Sequence, residues 1–194
     1  MSLFELYFKL GLQHIADFKG YDHILFILIL CAVYSIKEWR LVLILVTAFT
    51  IGHSLTLALA TLDLIRVDGD VIEFLIPLTI FITALANVLT KKQNVSTLLH
   101  YLKYSAALFF GLIHGLGFSN YLRSLLGSKK GLALPLFSFN VGIEIGQILI
   151  VSIIMVLTFL VVELLKFPKR EWHILLSGAG LGVSLVLMFE RFPF

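Results

Sequence analysis

The sequence predicts an all-α integral membrane protein, with about six transmembrane helices preceded by a short amphipathic helix at the interface. Three observations carry that prediction. The 194 residues are 59% hydrophobic, with a mean hydropathy of +1.01. Only 14% are charged, against about a quarter in a soluble domain. Apolar runs near 20 residues, the length a spanning helix needs, alternate with short charged loops.

The elements follow in order. Ser2-Leu3-Phe4-Glu5 has the form of a capping box, and Leu3, Phe4, Tyr7, Leu10 and Ile15 then repeat at near-helical spacing. Residues 1–18 therefore read as the interfacial helix. Spans are expected at about 22–36, 41–62, 71–90, 102–121, 135–165 and 172–189, in one polytopic domain covering 1–194. The fifth run, within Leu132–Leu165, is too long for one span. Its 34 residues would reach about 50 Å as helix. A long tilted helix or an extra-membrane first part is expected, with a re-entrant segment as the third option. The N-terminus has no basic region, long apolar core or small-residue cleavage site, so no cleaved signal is expected.

Charge sets the orientation. Lys37, Arg40, Lys91, Lys92, Lys103, Lys166, Lys169 and Arg170 outnumber Glu38, Glu163 and Glu171 on one side. The other side mixes Asp17, Asp22, Asp63, Asp68, Asp70, Glu73 and Glu190 with Lys9, Lys19, Arg66, Arg123, Lys129, Lys130 and Arg191. The first side should be cytoplasmic, so both termini of this inner-membrane protein should face the periplasm. A net charge of +3 spread over loops makes no case for nucleic acid. The single Cys31 cannot form an internal disulfide.

Ionisable residues inside spans are costly and are functional candidates by default. His53 follows Arg40 by 13 residues, about 20 Å of helix. His114 follows Lys103 by 11. Asp22 and His23 begin the first span, Glu73 begins the third, and Glu144 lies two to three turns after Pro135. His14 and Asp17 sit on the interfacial helix, one turn apart. All these groups fall in the outer half, which points to one polar site there. Imidazole with carboxylate and no thiolate suits zinc, nickel or cobalt. The candidate metal residues are His23, His53, His114, Glu144, Asp22 and His14. Asp17, Ser54, Glu73, Asn140 and Gln147 are candidates for supporting roles. His23 reads as a ligand and Asp22 as its orienting partner or a second ligand. Gly111 and Gly115 flank His114, and Gly142 and Gly146 flank Glu144, a spacing that lets helices approach closely. Gly178, Gly180 and Gly182 read as packing alone.

Blander readings stand beside these. Asp22 is an ordinary N-cap type, Glu73 suits a helix start, and His14 and Asp17 could be surface residues. His100 and His173 read as structural residues at cytoplasmic loop positions, and Cys31 as packing.

Four stretches, "GLQHIADFKGYDHILFILIL" (Gly11–Leu30), "FTIGHSLTL" (Phe49–Leu57), "HGLGFS" (His114–Ser119) and "FNVGIEIGQ" (Phe139–Gln147), carry a resemblance. In this ordered combination the chain resembles the HupE/UreJ-like membrane proteins, in a branch of short members. The chain departs from the family pattern at Pro77, Thr79 and Ser119. The resemblance implies nickel or cobalt permease activity and links to hydrogenase and urease maturation partners. It implies metal handling at His14, Asp22, His23, His53, His114 and Glu144. Two functions fit the residues: transport or delivery of a divalent ion, and a zinc-dependent intramembrane hydrolase acting on a lipid or lipidated protein. In the second, Glu144 or Asp22 would be the general base. A third possibility is a metal-free protein whose polar residues lock helices together.

Overall fold

The computed structural model describes residues 2–18, 20–90, 97–126 and 131–193, and within them no side chains at 97–99, 120, 123, 125 and 126. Lys19, Lys91, Lys92, Lys129 and Lys130, used in the charge balance above, lie outside the described residues, as does the side chain of Arg123.

Eight α-helices are described, with no strand among these residues. α1 is Leu3–Ile15 and α2 is Asp22–Ala32. A 3-10 turn, Ile36–Glu38, leads into α3, Trp39–Thr61. Then come α4 (Gly69–Leu89), α5 (Thr97–Gly117), α6 (Ser119–Leu126), α7 (Ala133–Phe159) and α8 (Lys169–Glu190). α7 runs on into a π-helical turn, Leu160–Leu164.

Local chemistry starts and stops these helices. Ser2 caps α1 by accepting from the Glu5 amide at 3.1 Å. The Glu5 carboxylate instead pairs with Lys9 at 2.9 Å, and this ammonium holds it below the usual carboxylate range. Ser35 donates its backbone amide (2.8 Å) and hydroxyl (2.9 Å) to Glu38, tightening the turn before α3. Asp63 adopts a left-handed φ of 62° just after α3. Pro77 lies inside α4, where it lacks the amide that would bond the Glu73 carbonyl.

Among the described residues, four helical stretches are long and apolar enough to cross a membrane: Ile36–Thr61, Gly69–Leu89, Ala133–Leu164 and Lys169–Glu190. α2 is apolar but shorter. The long fifth run is one continuous helix from Ala133, with no loop or re-entrant break. His100 and His173 lie within α5 and α8, not in the loops expected for them.

The most intimate helix pairs are α3 with α5, α1 with α7, and α4 with α8. Glycine makes the first two possible. A Cβ on Gly52 would stand 2.2 Å from the Leu108 carbonyl oxygen. One on Gly111 would stand 2.2 Å from that of Phe49, and one on Gly115 the same distance from that of His53. On the other pair, Gly11 would meet the Phe139 carbonyl at 2.1 Å and Gly142 the Phe8 carbonyl at 2.2 Å. The amphipathic N-terminal helix is thus clamped against α7, with Tyr7, Gly11 and Ile15 buried. Gly180 packs on Ile29, but Gly178 and Gly182 face open space, so packing does not account for them.

Substitution should separate these glycines. Gly52→Ala and Gly111→Ala force backbone apart and should each destabilise by about 1–3 kcal/mol. Gly178→Ala should be neutral or stabilise by about 0.5–1 kcal/mol, since only helix propensity changes. Thermal unfolding in detergent, followed by circular dichroism, measures both.

Candidate metal centre

The α3–α5 contact buries one histidine from each helix. His53 and His114 are almost fully buried, at 0% and 1% exposure. The start of α2 brings His23 against His114, with ring centroids 5.1 Å apart. The end of α1 brings His14 to 4.6 Å from His23 and 5.7 Å from His53. Four helices from distant parts of the chain therefore converge their imidazoles.

Three of these form a group fit for a metal. One nitrogen from each of His14, His23 and His53 lies within 4.8 Å of the others. Nitrogens around one zinc at about 2.0–2.1 Å stand about 3.4 Å apart, so small side-chain rotations close the group. The buried nitrogens meet the same test. His14 Nε2, His23 Nε2 and both ring nitrogens of His53 have no hydrogen-bond partner. Bare buried nitrogens are costly unless something binds them.

Asp22 fixes His23. Its Oδ1 lies 2.9 Å from His23 Nδ1 and also accepts the His23 backbone amide at 2.8 Å. Nδ1 is therefore the protonated nitrogen, and the Nε2 lone pair faces the other histidines. This carboxylate–histidine pairing orients metal ligands in many sites. Adjacent residues do not share a helix face, yet at the first turn the carboxylate folds back onto its neighbour. The other oxygen, Oδ2, accepts from Arg191 Nη1 at 3.3 Å.

His114 is fixed in a similar way. Thr79 gives its one proton to the Ile76 carbonyl at 2.7 Å. Its oxygen then accepts from His114 Nε2, 3.2 Å away. The Nδ1 lone pair of His114 is left buried and bare beside His23. His114 lies outside the three-histidine group, against the ring of His23.

A cavity of about 230 Å³ opens onto the group. Asp17, Asp22, Glu73 and Arg191 line it together with His14, His23 and His114. Phe118 stacks at 4.0 Å from His14 and 4.9 Å from Phe139, and Phe49 stands 5.0 Å from His114. These rings make that side of the imidazoles apolar.

The remaining candidates lie elsewhere. Glu144 is half-buried on α7 and accepts from the Thr47 hydroxyl at 2.7 Å. Thr47 is six residues before His53, about 9 Å along α3, so this carboxylate is outside the three-histidine group. Gln147 is fully buried, and its Oε1 is 2.6 Å from the Thr50 hydroxyl. Asn140 and Ser54 are half-buried on α7 and α3.

A family model described as "HupE / UreJ protein" matches residues 1–191. The chain belongs to the HupE/UreJ family. No curated protein and no solved structure matches it. Together with its apolar helices, this membership makes it an integral membrane protein.

Sequence reading of this HupE/UreJ protein did not find the roles of Thr79, Arg191, Phe118 and Phe139. Phe118 and Phe139 lie inside the motif stretches "HGLGFS" and "FNVGIEIGQ", which was the available signal. Arg191 had only its place after the last span.

Metal content of the purified protein tests the centre. His14→Ala, His23→Ala and His53→Ala should each lose the bound ion. Asp22→Asn should weaken affinity by about 10–100-fold, as orienting partners do. Thr79→Val should weaken it less, and Thr79→Ser should restore it, because the serine hydroxyl can hold the same His114 nitrogen.

Proposed function

We propose that this HupE/UreJ protein binds a divalent transition ion, nickel, cobalt or zinc, at His14, His23 and His53 and carries or delivers it across the cytoplasmic membrane. The carrying observation is the set of bare, buried nitrogens that converge from three helices. Nitrogen donors without thiolate favour these borderline ions. Asp17, Asp22 and Glu73 around the cavity supply negative charge that draws cations in. His114 offers a fourth nitrogen as the ion is taken up or passed on. The orientation expected from the loops puts the cavity on the periplasmic side, with six spans in all. Nickel or cobalt is the cargo that the family resemblance implies, with metalloenzyme maturation as its destination.

A second reading is a zinc-dependent intramembrane hydrolase. One observation favours it: the cavity beside the imidazoles holds carboxylates and Arg191, a guanidinium suited to an anionic lipid headgroup. In that case the three histidines would hold a resident zinc, which supplies an acidic bound water. Glu73 or Asp22, lining the same cavity, would take a proton; Glu144 lies too far away for that role.

Uptake into proteoliposomes decides between them. Transport predicts saturable accumulation of radiolabelled nickel, cobalt or zinc that His53→Ala abolishes. No accumulation under any pH gradient, with stoichiometric zinc retained through purification, would defeat transport and favour hydrolysis.

A further inference from the structure

The histidine group leaves unexplained a second set of polar groups where α3 crosses α7. Two short hydrogen bonds join the helices there: Thr47 to Glu144 at 2.7 Å and Thr50 to Gln147 at 2.6 Å. Helix locking alone would need only the hydroxyls and an amide. Yet Glu144 is ionisable, and its Oε2 is buried with no partner. Asn140 Oδ1, one turn away on the same face of α7, is also buried and bare.

Gln147 is fully buried beside them and spends its oxygen on the Thr50 hydroxyl, 2.6 Å away.

We propose that Glu144, Asn140 and Thr47 form a second cation site, made of oxygen donors alone, two turns along α3 from His53. An ionisable group inside a membrane span is a functional candidate, and Glu144 keeps one oxygen that no protein group meets. Carboxylate, amide and hydroxyl oxygens suit a hard cation. Two sources share that chemistry: a coupling ion such as sodium, and the transition ion itself, held more weakly than by imidazole. The proposal extends the transport reading, but its test does not depend on transport.

Equilibrium dialysis of the full-length protein in detergent reads the site directly. One arm titrates nickel, cobalt or zinc; the other titrates sodium-22 with the histidine group already loaded. The wild type should bind one tight transition ion plus a second, weaker equivalent in one arm. Saturation in the metal arm marks a relay, and saturation in the sodium arm marks a coupling ion. Glu144→Gln should lose the weak equivalent by about tenfold or more in affinity, the scale of one charged contact, and keep the tight one. Thr47→Val leaves the carboxylate in place and should weaken the same equivalent less.

Three results overturn the proposal: no second equivalent in either arm, a Glu144→Gln protein that keeps it, or one that loses the tight ion. A wild type that binds both ions but shows no uptake defeats the transport reading alone.

Discussion

Close helix approach through glycine, at α3 with α5 and at α1 with α7, is the constraint on which the candidate centre depends. Gly52, Gly111 and Gly115 let the α3 and α5 backbones meet with no side chain between them. His53 lies next to Gly52, and His114 next to Gly115. Both imidazoles are buried at this contact, and His23 reaches each of them. A second glycine clamp, Gly11 with Gly142 and Gly146, pins α1 to α7 and delivers His14 from the far end of the chain. In membrane proteins such contacts gain little from water exclusion, so close packing and hydrogen bonds must supply the attraction.

Given that scaffold, electrostatics tune the site. Buried imidazoles surrounded by Phe49, Phe118 and Phe139 meet a medium of low dielectric, where each charge counts for more than in water. One carboxylate, Asp22, answers this by holding His23 on one oxygen and Arg191 on the other. The ion pair also ties the end of α8 to the start of α2, so the last residues of the chain help to shape the first histidine motif. Thr79 does the same for His114 with a hydroxyl.

Much of this was legible in advance. Hydropathy showed the apolar helices, because crossing lipid demands long runs without charge. Helix rise and loop charge grouped His23, His53 and His114 as candidates for one site, and Asp22 was expected to be an orienting partner of His23 or a second ligand. Glu144 shows the limit. Its distance along the chain placed it in the outer half, as it did the histidines, but depth along one helix says nothing about which neighbour a side chain meets. The crossing of α3 and α7 directs Glu144 to Thr47, two turns from His53.

Gly178, Gly180 and Gly182 teach the same lesson, for only Gly180 meets a neighbour. By itself, then, the sequence determined the class of molecule, its helices, and the pool of imidazoles and carboxylates available to a metal. Those properties follow from composition and period, which are local. Tertiary structure alone decided that His14, His23 and His53 close on one point, that Thr79 meets His114 and Arg191 meets Asp22, and that Glu144 stands apart. Those outcomes depend on the angles at which helices cross, and crossing angles are set by both partners at once.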